Sequence, residues 1–148
     1  MNPHPYIRAF LAGVFVPTLV LPVILTGFIV VRLVLQFPVP IERGIIFPMA
    51  LVPSLWGIWN MLWQLPALRS RVPLGIFGAL LPLLMAPVGA IVGAIAGVFA
   101  LGATGVIWFQ IWHISYVLIA CAFCVALTAY YLLWKYVVGF LNRMLGIA

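Results

Sequence analysis

Acid is almost missing from this sequence. Glu42 is its single carboxylate side chain, against seven Lys and Arg and two His in 148 residues. General acid–base catalysis by a carboxylate pair is therefore excluded, as is a proton relay through acids buried in an apolar span. Two cysteines cannot build a disulfide framework, and no His, Cys and Asp cluster offers a metal site. The glycine-rich run at 89–97 lacks the Gly-Lys-Ser/Thr ending of a phosphate loop. Charge of either sign is scarce, at 5% of residues, where a soluble domain carries about a quarter. Such a chain cannot cover itself with a solvated surface.

What is present in quantity is apolar: 68% of residues are hydrophobic, which makes this an integral membrane protein. The net charge of +6 comes from cations spread singly between apolar runs, the distribution of topology-setting charges. No nucleic-acid partner is expected. The anionic headgroups of the cytoplasmic leaflet are the natural counterpart of these cations.

The apolar runs divide into four spans, about 9–31, 44–68, 72–101 and 114–136, each long enough for a hydrocarbon core of about 30 Å. The first is too long for the apolar region of a signal peptide and no small-x-small site follows it, so it reads as a retained span. Pro17 and Pro22 bend it, and Thr18 and Thr26 could re-satisfy the carbonyls those prolines free. Leu33–Arg43, broken by Pro38 and Pro40, reads as a link along the membrane surface, with Glu42 pairing Arg32 or Arg43. Arg69-Ser-Arg71 closes a tight hairpin. No charge occurs from Val72 to Trp134, a stretch that must hold two crossings, and Gly102-Ala-Thr-Gly105 is the best break in it. Trp108, Trp112, His113 and Tyr116 at one end of the fourth span, and Tyr130, Tyr131, Trp134, Lys135 and Tyr136 at the other, read as aromatic belts.

Four spans place both termini on one side. Arg8, Arg69, Arg71, Lys135 and Arg143 then share a face, opposite Arg32 and Arg43. Five against two favours cytoplasmic termini. The expectation is an all-α, polytopic single domain over 1–148: an antiparallel four-helix bundle in a bacterial inner (cytoplasmic) membrane.

Within span two, Ser54-Leu-Trp-Gly-Ile-Trp-Asn-Met-Leu-Trp-Gln64 carries the densest polar and aromatic pattern. At ~100° per residue, Trp56, Trp59, Asn60 and Trp63 fall within an arc of about 100°, with Gln64 one turn beyond Asn60. In span three, Gly89, Gly93 and Gly97 repeat every fourth residue, a register that lets backbones approach closely. Large-against-small packing predicts a ridge of tryptophans in a groove of these glycines. A homo-oligomer seam, a pore lining or a solute pocket is the alternative use of the same residues. Asn60, inside hydrocarbon, is expected to clamp another helix by a hydrogen bond.

Two further patterns bear on chemistry. Tyr116-Val-Leu-Ile-Ala-Cys-Ala-Phe-Cys124 resembles the fourth-helix Cys-x-x-Cys of the vitamin K epoxide reductase family, whose core is also four helices. The resemblance implies quinone-linked thiol oxidation, with Cys121 and Cys124 carrying the electrons. That family uses a second cysteine pair in an outer loop, and this chain has no third or fourth cysteine. The residues themselves read as buried cysteines acting as small hydrophobes. His113 reads as an interfacial residue, with a pigment or metal ligand as the alternative.

Together these readings predict a non-catalytic membrane protein with no cofactor, an accessory or assembly subunit that packs on membrane partners or on copies of itself. A small channel or transporter for an uncharged or hydrophobic solute is the second reading, and a membrane thiol oxidoreductase the third.

Overall fold

The structure is a computed structural model that describes residues 4–37 and 42–147. Helix accounts for 76% of it. Four helical stretches are long and apolar enough to cross a membrane: Pro5–Val34, Glu42–Trp63, Leu74–Ile95 and Tyr116–Met144. Proline marks several helix starts, where its missing N–H is one the first turn leaves unbonded in any case. Helix α1 (Pro5–Ile29) has proline in its first turn, as do α2 (Phe47–Trp63) and the single turn α3 (Pro66–Arg69). Pro73 is the N-cap of α4 (Leu74–Ile95). A wide π-helical turn, Val30–Val34, extends α1, and another, Glu42–Ile46, leads into α2. Pro38 and Pro40 of the expected surface link lie outside the described residues.

Between α4 and the fourth long helix the chain is not helical. Strands β1 (Phe99–Leu101), β2 (Gly105–Trp108) and β3 (Trp112–Ser115) form an antiparallel meander, with Phe99 opposite Trp108 and Trp108 opposite Trp112. The all-α expectation is corrected here: the fold is mostly helical with one small sheet. Span three ends at Ile95 rather than about 101, and the fourth helix starts at Tyr116. The reasons are local. Gly97 adopts φ +67°, Val98 N–H bonds Gly93 O at 2.9 Å and Gly97 N–H bonds Ala94 O at 3.1 Å, which is a Schellman ending. Gly102-Ala-Thr-Gly105 is the β1–β2 loop, closed by Gly102 N–H on Gly105 O. The aromatic and β-branched residues on either side then suit a pleated surface. Ser115 caps the last long helix, accepting from Leu118 N–H at 3.3 Å.

That helix runs as α5 (Tyr116–Leu132), a π-helical stretch Leu133–Val138, and α6 (Gly139–Met144). No α5 side chain is buried, whereas Trp134, Val138 and Asn142 are fully so. The other helices share this lopsidedness. Buried residues in α1 are Ala9, Ala12, Gly13 and Pro17, and those in α4 are Gly75, Phe77, Gly78 and Leu81. Among the described side chains of α2 they are Trp56, Gly57, Asn60 and Trp63. The core thus occupies the half of the molecule where α1 and α4 begin and α2 and α6 end.

The same end gathers charge. Arg8 Nη1 donates to Leu145 O at 2.8 Å, and Lys135 lies beside Gly75 at the start of α4, close to the α3 turn that carries Arg69. At the other end, Arg32 Nη2 stands 3.9 Å from Glu42 Oε1, the pairing expected of the lone acid. The threonines behave otherwise than expected. Thr18 and Thr26 donate to the carbonyls of Val14 and Pro22, one turn back from each, while the prolines at 17 and 22 deprive Gly13 and Thr18 of their donors.

Candidate functional site

The tryptophan stripe of α2 is brought together with partners, though not with the span-three glycines. The α2–α3–α4 hairpin turns over residues 64–73, so the end of α2 lies opposite the beginning of α4. Trp63 Nε1 donates to Val72 O at 3.0 Å, and Trp59 Nε1 to Phe77 O at 2.8 Å. Trp59 also stacks on Phe77 with centroids 4.6 Å apart. Gly89 sits twelve residues beyond Phe77, about 18 Å along the helix, which is why the predicted ridge and groove do not meet.

The three glycines part ways. Gly89 has nothing within 4 Å of where a Cβ would stand. Gly93 receives the edge of the Phe99 ring, and Gly97 is the helix terminator. Close packing falls to other glycines. A Cβ on Gly78 would collide with the Trp134 ring. One on Gly13 would stand 2.5 Å from Trp56 O and 2.8 Å from Gly57 Cα, so α1 and α2 touch backbone to backbone there. That contact had a sequence signal, the small-xxx-small pair Ala9 and Gly13.

Asn60 does clamp other helices. Its Nδ2 donates to Ala9 O on α1 at 2.8 Å and to Asn142 Oδ1 on α6 at 2.8 Å, and Asn142 Nδ2 returns a bond to Asn60 Oδ1 at 3.2 Å. Both side chains are 0% exposed. The pair ties three helices at one point, and each amide meets the need the other creates. Asn142 was not singled out in the sequence, since it lies beyond the fourth predicted span. Gln64 accepts from Arg69 Nη1 at 3.3 Å near the turn and takes no part in this network.

Trp56 packs on Tyr130 and Trp134 with centroids at 5.2 and 5.4 Å. Trp134, expected in an interfacial belt, is instead in this core, because Gly78 opens the space for its ring. Neither Trp56 nor Trp134 has an acceptor for its indole N–H among the described residues.

Trp56 also marks the floor of a cavity of about 190 Å³ whose walls are Val20, Ile24, Met49, Val52 and their neighbours on α1 and α2, with Tyr130 and Leu133 behind. A second cavity, about 540 Å³, opens at the sheet end between Val31, Phe37 and Ile45 on one side and Trp108, Phe109, Trp112 and Ile114 on the other. Phe37 and Trp112 stack across its mouth at 5.9 Å. A Cβ on Gly44 would meet Phe109 and Val98, so the sheet seats directly on the entry to α2.

The chemistry-bearing residues are elsewhere. Cys121 and Cys124 are free and exposed on α5, which corrects the expectation that they are buried. Among the described residues nothing covers that face of the helix. His113, on β3, shares a 3.0 Å hydrogen bond with Thr104 and is exposed. Among the described residues no three His, Cys, Asp or Glu side chains come together. The chain matches no family model, no curated protein and no solved structure.

Proposed function

We propose that the four long helices cross a bacterial inner membrane as an antiparallel bundle with both termini in the cytoplasm, and that the protein is a non-catalytic accessory or assembly subunit. The sheet supports the depth of insertion. Its edge strands β1 and β3 carry unpaired backbone groups, which hydrocarbon does not tolerate, so the bilayer boundary lies near Ile95 and Tyr116. The cations support the orientation, with Arg8, Arg69, Arg71, Lys135 and Arg143 at the end opposite the sheet.

One observation carries the subunit reading: the second half of α4 presents one face of small residues that is left uncovered. Ala86, Gly89, Ala90 and Ala94 are all exposed, and Gly89 is open to at least 4 Å. Lipid gains little against a flat helix face, whereas a second helix gains close dispersion contact. The occupant of that face is a membrane protein, another subunit or a second copy. Sizing in mild detergent and identification of what co-purifies from native membranes test this. The expected result is a discrete oligomer or a stoichiometric partner, lost in Gly89→Leu while the chain stays folded. A lone monomer in wild type ends the reading.

A further inference from the structure

The larger cavity, at the sheet end, has a wall of rings. Phe37 lies parallel to Trp112 with centroids 5.9 Å apart, Phe109 meets Trp112 edge-on at 6.4 Å, and Trp108 lies parallel to Phe109 at 5.8 Å. The four make one row, and Val31, Ile45 and Ile114 complete a lining with no polar surface around about 540 Å³. Protein interiors leave few voids larger than a water molecule, whereas small-molecule sites run from about 300 to 1,000 Å³ and are chiefly apolar and aromatic. The rings are also held in place. The Phe109 ring is seated on Gly44, where a Cβ would stand 2.7 Å from its Cζ, and Phe109 N–H bonds Val98 O at 2.7 Å. The backbone enters the left-handed region at Gln36, φ +49°, just before Phe37, and at Phe109 and Gln110, φ +51° and +60°, in the β2–β3 turn. Residues other than glycine rarely adopt such angles, and such outliers gather at ligand sites.

We infer that this cavity binds one uncharged, flat, polycyclic aromatic molecule. Flatness and aromaticity follow from the wall, whose π faces and edges favour another ring over a saturated group of the same size. Absence of charge follows from the lining, which offers no hydrogen bond to compensate a polar or ionic group brought out of solvent. Aromatic cages also take cations. Here, however, the charged residues nearest along the chain to the lining are Arg32, Glu42 and Arg43, two cations to one acid, a balance that disfavours one. The inference rests on neither the bilayer topology nor the uncovered α4 face, since the whole lining belongs to one chain.

The test is displacement of radiolabelled fluorene from the full chain in nanodiscs, with empty nanodiscs subtracting partition into lipid. One saturable site per chain is expected. Perhydrofluorene, the saturated analogue, should compete about fivefold more weakly at equal concentration in the bilayer. Trp112→Leu removes one ring while keeping the wall apolar and should abolish most of that difference. Ile114→Trp fills the cavity and should abolish saturable binding. The elution profile and thermal unfolding of each variant confirm that it is folded, and the comparison of the two competitors on wild type needs no variant. Binding no greater than to empty nanodiscs, equal competition by the two hydrocarbons, or an unchanged ratio in Trp112→Leu overturns the inference. Stronger competition by phenyltrimethylammonium than by its uncharged isostere tert-butylbenzene overturns it as well.

Discussion

Asn60 and Asn142 are the two residues on which three helices depend. Each amide is buried, so deleting one leaves the other short of hydrogen bonds without water to turn to, Asn60 keeping only its bond to Ala9 O. Asn60→Leu or Asn142→Leu alone should destabilise the protein by about 1–3 kcal/mol, measured by denaturant unfolding in detergent. The double variant should recover part of that loss, with a coupling on the order of 1 kcal/mol; strict additivity would show that the amides do not act on each other. Asn60 was legible in the sequence because it interrupts an apolar run. Asn142 was not, since Gly139-Phe-Leu-Asn-Arg143 has the composition of an exposed helix end. Only the return of Ile147 onto Ala9 and Ala12 reveals that this end is buried, and it is directed by a second Schellman turn at Gly146, φ +64°.

For the elements, the instructive residues are the glycines of α4. Gly89, Gly93 and Gly97 share a spacing and have three different roles, and the spacing alone cannot tell an open face from a ring socket or a helix stop. Gly78, which stands alone, makes the tightest contact. Substituting Gly78→Ala should destabilise by roughly 1–3 kcal/mol, since the buried Trp134 ring must move. Gly97→Ala should cost about 1 kcal/mol by forcing an L side chain into the left-handed region and should loosen the sheet, seen as faster amide exchange over residues 98–109. Equal effects at both positions and at Gly89→Ala would mean that helix propensity alone is being read. The sheet itself was hidden because the short β-branched and aromatic runs at 98–115 read equally well as the ends of two membrane helices. Period-2 alternation over three or four residues is too short a signal to separate from a buried helix turn.

At the scale of the molecule, burial is polarised: packed tightly at the basic end, open toward the sheet. In the proposed membrane setting this is sustainable, because lipid, unlike water, does not penalise the exposed Val, Ile and Leu of α1, α4 and α5. The proposed topology has a testable consequence. Reporter domains fused to either end should be active on the cytoplasmic side, and a cysteine placed at Arg43 should be labelled by an impermeant reagent added from outside. Termini on opposite sides would remove one of the four crossings.

The sequence by itself determined that the chain forms four helices long and apolar enough to cross a membrane, because that property is set by composition and by lengths along a single strand of chain. Contacts between helices depend on where a hairpin turns and how far each strand of it runs, and a shift of a few residues at residues 64–73 changes every pairing of α2 with α4. Tertiary structure alone therefore decided that Trp59 meets Phe77 rather than Gly93, that Asn60 finds Asn142, and that Trp134 is core rather than belt.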